Sequence, residues 1–476
     1  MTNASATLLA RLAEAVGDAQ VLTAAADIEP YLVDQRGRYR GAARAVVRPA
    51  NTAEVAAVVR ACVDADVALV PQGGNTGMCG AATPDDSGTE VVVSLVRMRR
   101  VRALDCDNAT ITVEAGATLA DVQQAAADAG LMFPLSLASE GSCTIGGNIA
   151  TNAGGTAVLR YGNMRELVLG IEAVLADGRV WNGLRGLRKD NTGYDLKQLF
   201  VGSEGTLGIV TAAVLKLFPS PRTRVTALAA MRGVAQAVGL LRRMKQALGD
   251  RLVGFELMSD AALGLSRAHH PELPDPLPGH PWYVLLQADD SAASVPLGAE
   301  VETALGQAIA DGVVADATVA QSGDQASRLW ALREYISESQ RREGPNVKHD
   351  ISLPVSAIPA FIDATGPALT DAFADARLVV FGHLGDGNLH YNVAAPRGAS
   401  AQAFMDNTPK VNRIVHDRVV AAGGSISAEH GIGQLKREEL AHYKPPLDIE
   451  LMRRIKAALD PLGLLNPGKV LQRGGR

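Results

Sequence analysis

The chain predicts an α+β protein: a leading segment in which strands alternate with helices, a second domain with an antiparallel sheet flanked by helices, and a helical C-terminal segment. Three observations predict it. Short apolar runs alternate with helical periodicity, broken by three glycine-rich loops, as far as residue 218; Pro219-Ser220-Pro221 then interrupts the pattern; beyond it, strand-like runs separated by single helices lead to a hairpin. At 476 residues the chain exceeds what one ordinary core organises, and domains are expected at 1–220, 221–420 and 421–476.

The elements follow in order. Leu8, Leu9, Leu12 and Val16 with Arg11, Glu14 and Asp18 make an amphipathic first helix rather than a signal peptide. Residues 46–49 form a short strand, and 52–65 a helix with Thr52 as its cap and Glu54 in its first turn. The strand at 67–70 enters the first glycine loop, 71–80. Strands are expected at 90–95, 110–113 and 167–175, and a helix at 118–129. The second and third glycine regions are 139–155 and 201–210. After the proline break come strands at 226–231, 252–258, 282–287 and 315–320 and helices at 233–248 and 299–310. Helices at 411–422 and 447–458 precede a final Pro/Gly-rich stretch, 460–470.

Composition excludes several classes. With 47% hydrophobic and 20% charged residues the chain is globular rather than disordered. A net charge of −5 and 4% aromatic content argue against nucleic-acid partners, which require a basic surface or stacking platforms. No run reaches the ~18 uncharged apolar residues of a transmembrane segment. The four cysteines, Cys62, Cys79, Cys106 and Cys143, lie far apart without C-x-x-C, which excludes an iron–sulfur module, gives no disulfide framework and makes a cytoplasmic location the expectation.

The glycine loops hold Gly, Ser, Thr and Asn with almost no positive charge. Successive backbone N–H groups in such loops form concavities that hold phosphate without lysine, so a large, mildly anionic cofactor is expected along all three. Neither G-x-G-x-x-G nor G-x-x-x-x-G-K-[ST] occurs, so Rossmann and P-loop assignments lack their fingerprints.

Residues 379–393 are the most informative stretch. An apolar run enters, Asp386-Gly387 offers a tight hairpin turn, and a second run leaves. A two-residue turn there sets His383 opposite His390, with Cβ atoms roughly 5 Å apart, close enough for two ring nitrogens to share a cation. Asn392 joins that face. Glu429-His430 follows before a glycine turn, and five of the nine histidines lie between 349 and 430.

These motifs resemble the flavin-dependent enzymes with the vanillyl-alcohol oxidase fold, in the branch that oxidises D-2-hydroxy acids, and within it the D-2-hydroxyglutarate dehydrogenases. The likeness covers nearly the whole chain and rests on the segments 71–77, 141–148, 151–155, 202–208, 382–390, 429–433 and 466–469. It implies an FAD-binding domain (1–220), a substrate-binding domain (221–420) and a C-terminal segment (421–476) that contributes to the active site and packs back on the FAD domain. The FAD-binding residues it implies are Pro71, Gly73, Gly74, Asn75, Thr76 and Gly77; Gly141, Ser142, Thr144, Gly146, Asn148, Thr151, Asn152 and Gly154; Glu204, Gly205, Gly208, Ile209 and Val210; and Asn466. Some relatives attach FAD through a histidine in the first loop. Asn75 stands at the comparable place and no histidine precedes His269, so a non-covalent flavin is inferred.

The resemblance further implies a divalent metal, Zn²⁺ being the expected ion, on His383, His390 and Glu429. His430 is then the general base for the substrate hydroxyl, with the C2 hydride passing to flavin N5 and a 2-keto acid as product. Arg333 and Ser337, four apart on a helix, and Lys348 would hold a distal carboxylate, with Asn392 orienting the C1 end. The related enzymes carry Thr where Ser337 stands, which retains the hydroxyl. Electron-transfer flavoprotein or a quinone is the expected electron acceptor, and a homodimer is compatible with the family. Two flavin alternatives are an enzyme for D-lactate or glycolate and a non-catalytic electron-transfer subunit of a complex. The four-residue set His383, His390, Glu429 and His430 counts against the latter; a metal-only hydrolase would lack flavin colour.

Overall fold

The computed structural model describes residues 3–292, 296–398 and 400–473. The chain forms two compact units, one of Met1–Gly155, Gly162–Ser220 and Glu429–Arg476, the other of Thr156–Tyr161 and Pro221–Ala428. Among the described residues no helix is long and apolar enough to cross a membrane.

The first unit contains two main sheets. In the four-stranded one the order is Val21–Leu22, Ala45–Val47, Val91–Ser94, Leu69–Gln72, and the last three run parallel. Their apolar runs are continuous because both faces are covered. The helix Thr52–Asp64 is capped by Asn51, not by Thr52: the Asn51 side chain accepts from the Glu54 N–H at 3.0 Å, and the Glu54 carboxylate accepts from the Ala50 N–H at 2.7 Å. Helix Leu119–Asp128 opens with a capping box of Thr118 and Asp121. The five-stranded sheet, ordered Val101–Asp105, Thr110–Glu114, Ile209–Lys216, Val168–Val174, Val180–Gly183, is antiparallel throughout. Among the described residues of this unit, parallel strand pairing is confined to the first sheet and its edge. The last chain segment joins that sheet, the Leu69 N–H donating to Leu464 O at 2.8 Å and the Asn466 N–H to Leu69 O at 2.7 Å.

The second unit is built on an eight-stranded sheet. Its order is Asp316–Val319, Thr223–Met231, Trp282–Asp290, Leu252–Ser259, Arg377–His383, Asn388–Ala394, Asn346–Val347, with Asp350–Ser352 also pairing to Asn388–Ala394. Alternate residues of a strand face opposite sides. Ala227, Ala229 and Met231 accordingly pack with helices Val234–Leu248, Leu297–Ala310, Ile358–Ala372 and Thr408–Ala421, while Leu228 and Ala230 pack with Asp260–His269 and Gly323–Arg342. Helices on both sides make the central stretches of these strands largely apolar. A charged residue inside one of them then requires a reason, and Glu256 in Leu252–Ser259 is such a residue.

Candidate active site

The hairpin forms in a register different from the expected one. Phe381, not His383, lies opposite His390, and His383 lies opposite Glu256 on the neighbouring strand. The turn spans 384–387 rather than two residues, and the N–H groups of Asp386 and Gly387 both point at His383 O, at 3.3 and 3.1 Å. Distant segments fix this turn: the Gly385 N–H donates to Phe255 O at 3.2 Å and the Leu353 N–H to Gly387 O at 3.0 Å. The slip is two residues, which preserves the face. The rings of His383 and His390 remain neighbours, with centroids 5.9 Å apart and planes at 75°.

Each imidazole has a carboxylate at Nδ1. Glu256 Oε1 lies 2.5 Å from His383 Nδ1, and Asp350 Oδ1 lies 3.8 Å from His390 Nδ1. A hydrogen-bonded carboxylate at Nδ1 keeps the proton there and makes Nε2 the lone-pair donor, the arrangement that metal-binding histidines use; Glu256 is within that distance of His383, whereas Asp350 stands beyond it from His390. Burial raises the Glu256 carboxyl, but its hydrogen-bonded neighbours His383 and Arg333 outweigh burial and hold it below the ordinary carboxylate range.

Glu256 also binds Arg333, whose Nε donates to Oε2 at 2.8 Å. The guanidinium is buried, with its carbon 4.7 Å from the centre of the Phe381 ring. Ser337 lies one turn further along the helix Gly323–Arg342 and is exposed; Lys348 is half-buried between Asn346–Val347 and Asp350–Ser352. Asn392 is buried, accepting from the His349 N–H at 3.2 Å and donating to Gln340 Oε1 at 2.9 Å. Glu256 and Asp350, whose carboxylates face the two imidazoles, are not among the residues that the sequence pointed to. The signal for the first was a lone acid in an apolar run.

Ala428 donates its N–H to Asp350 O at 3.2 Å, and Asp350 faces His390 in the ladder. Glu429, the next residue, begins the last segment of the first unit. Both Glu429 and His430 are half-buried. The turn behind them is packed tightly: a Cβ on Gly433 would lie 2.1 Å from Cys79 O, and one on Gly431 would lie 2.8 Å from Glu204 Oε1. The buried Glu204 carboxylate accepts from the N–H groups of Ile432 and Gly433 at 2.7 and 2.8 Å. Burial raises this carboxyl more than those two N–H groups and Lys436 lower it, and it titrates at about 7. Asn466 donates to Glu204 O at 2.7 Å and Ala81 O at 3.0 Å. First loop, third loop, Glu429-His430 turn and C-terminal motif thus meet within one unit.

The glycine loops fit a flavin nucleotide. A Cβ on Gly74 would sit 1.9 Å from Ser142 O, and one on Gly73 would sit 2.3 Å from Thr144 Oγ1, so loops one and two touch through their glycines. The polar side chains beside the glycines shape the backbone. Asn75, at φ 52, donates to Val33 O; Thr144 caps the helix Ile145–Ala150; Thr151 bonds Gly147 O; and Asn152 Oδ1 accepts from the Arg165 N–H. Among the described residues none of the N–H groups of 73–77 makes a hydrogen bond, and a Cβ on Gly77 or Gly141 would meet nothing within 4 Å. A concavity of unpaired N–H groups beside open space suits a pyrophosphate. Gly146 packs on Ala115, Gly205 on Pro71 and Gly208 on Phe200. Ile209 and Val210 are buried in the five-stranded sheet, and Asn148 is buried below the second loop.

Comparison with known proteins agrees with this geometry. Residues 43–183 match the family model "FAD binding domain", and residues 220–470 match "FAD linked oxidases, C-terminal domain". The chain is 41% identical over 463 residues to the mitochondrial D-2-hydroxyglutarate dehydrogenase of Bos taurus, covering 96% of this chain and 82% of that one. It is 40% identical to the D-2-hydroxyglutarate dehydrogenase of Xanthomonas citri pv. viticola, covering 97% and 96%. Among solved structures, p-cresol methylhydroxylase with substrate bound superposes with a TM-score of 0.77 at 16% identity, covering 99% of this chain and 98% of that one; that likeness carries the vanillyl-alcohol oxidase type of fold alone. The chain is an FAD-dependent oxidoreductase of the FAD-linked oxidase family and belongs with the D-2-hydroxyglutarate dehydrogenases.

Proposed function

We propose that the chain oxidises the secondary alcohol of D-2-hydroxyglutarate to give 2-oxoglutarate. The observation that carries this reading is the 40–41% identity to enzymes of that name over at least 96% of the chain, and the buried Arg333, held by the same Glu256 carboxylate as His383, supports it. When bound, FAD supplies the two-electron acceptor and a divalent cation a Lewis acid. The three glycine loops and Asn466 would hold the flavin; His383, His390 and Glu429, an N,N,O donor set suited to Zn²⁺, would hold the cation.

The chain's own groups do the positioning and the proton transfer. Arg333 presents its terminal amino groups to the distal carboxylate, with Ser337 and Lys348 adding a hydroxyl and an ammonium. Asn392, on the strand face of His390, lies toward the C1 end of the substrate. His430 takes the hydroxyl proton as general base. Electron-transfer flavoprotein or a quinone is the proposed electron acceptor. The cytoplasm is the proposed location, from the scattered cysteines.

Anaerobic mixing of the yellow protein with D-2-hydroxyglutarate, L-2-hydroxyglutarate, D-malate and D-lactate, followed by flavin bleaching, tests the reading. D-2-hydroxyglutarate is expected to give the highest kcat/KM. Equal or faster bleaching by D-lactate refutes the dicarboxylate assignment.

A further inference from the structure

We infer that Glu256 is a positioning residue that couples the two halves of the proposed site, holding His383 as a metal ligand and Arg333 as a carboxylate clamp through one buried carboxylate. The inference rests on the proposed function. It begins with the cost of the residue: Glu256 is 0% exposed in the strand Leu252–Ser259, whose other members are mostly apolar. A buried carboxylate is expensive unless paired and hydrogen-bonded, and an apolar residue would fill the position without that penalty.

Its two oxygens serve different segments. Oε1 meets His383 Nδ1 at 2.5 Å across the ladder, and Oε2 accepts from Arg333 Nε at 2.8 Å, from a helix covering the sheet. The first contact makes Nε2 of His383 its lone-pair nitrogen and raises its basicity. The second occupies the Nε edge of the guanidinium and leaves the two terminal amino groups without a hydrogen bond to any described residue. Phe381, directly opposite His390 in the hairpin, supports the guanidinium from below, so the arginine cannot swing away without losing both contacts. Glutamine cannot reproduce this. Its single acceptor oxygen satisfies one donor, and its amide nitrogen confronts the other.

The test uses the flavoprotein stripped of metal, with Zn²⁺ alone titrated against a chromophoric chelator. Wild type, His383→Ala, Glu256→Gln and Glu256→Asp are compared, with flavin content and melting temperature as folding controls. Glu256→Gln is expected to weaken Zn²⁺ binding by about 10-fold to 100-fold, the range for losing a carboxylate behind a metal-binding histidine. It is also expected to raise KM for D-2-hydroxyglutarate more than for D-lactate. Wild-type Zn²⁺ affinity and an unchanged KM ratio in Glu256→Gln, with Zn²⁺ binding lost in His383→Ala, overturn the role of Glu256 and leave the metal reading standing. Wild-type affinity in His383→Ala defeats the metal reading itself. Should Glu256→Gln fail to fold, Glu256→Asp keeps the charge but is one methylene short of spanning both partners; weakened Zn²⁺ binding there supports the inference, and wild-type affinity overturns it.

Discussion

Replacing Glu204 by Gln should flatten the pH dependence of stability between pH 4.5 and 7. In the native chain this carboxyl is buried and accepts from the N–H groups of Ile432 and Gly433, and it titrates at about 7 rather than at the ordinary 4.5. The native state therefore holds the Glu204 proton over a window in which the unfolded chain has released it. The sign follows: this residue's contribution is fully present below pH 4.5 and is lost as pH rises to about 7. At 1.36 kcal/mol per pH unit, the contribution is roughly 3 kcal/mol. Urea unfolding of the FAD-loaded protein at fixed temperature, at half-unit steps from pH 4.5 to 8, measures it in wild type and Glu204→Gln; the difference between the two curves isolates Glu204 from every other titrating group. A difference that is flat, or that favours wild type increasingly as pH rises, refutes the reasoning. It would mean that the two N–H donors outweigh burial and hold the carboxylate charged.

Gly74→Ala should abolish flavin retention, because the new Cβ would lie 1.9 Å from Ser142 O, a backbone atom that cannot yield alone. Gly264→Ala, where nothing lies within 4 Å in the helix Asp260–His269, should retain full flavin absorbance and gain up to about 1 kcal/mol of stability. His430→Ala should lower kcat by about 10²-fold or more with flavin still bound, as stopped-flow bleaching would show. Chelation of metal should stop turnover while the protein stays yellow; undiminished activity in metal-free protein would exclude a catalytic cation.

The glycine loops were legible because their chemistry is in the backbone: glycines that touch at Gly73–Thr144 and Gly74–Ser142 announce themselves by composition. The pairing of His383 with His390 was legible in parity and not in register. Parity depends on spacing along one strand, whereas register was set by Phe255 and Leu353, which grip the turn from elsewhere in the chain. Glu256 was illegible as a partner for a similar reason. Its contacts lie 77 and 127 residues away, and no local pattern marks which distant groups will meet a buried acid. The cap falls on Asn51 rather than on the expected Thr52 because both residue types can cap, and a shift of one residue is below what local sequence resolves.

The discontinuity of the first unit has a consequence for how the protein is made. On its outer edge Leu69 bonds Leu464 and Asn466, and Lys456 donates to Thr206 O and Leu465 O while pairing with Asp460. On the ribosome, the earlier segments of that unit emerge long before these partners exist, so the second unit, drawn almost entirely from Pro221–Ala428, has its residues available first. Nascent chains arrested before residue 464 should leave the Leu69 edge open to protease and chaperone, and stable flavin loading should wait for release of the finished polypeptide.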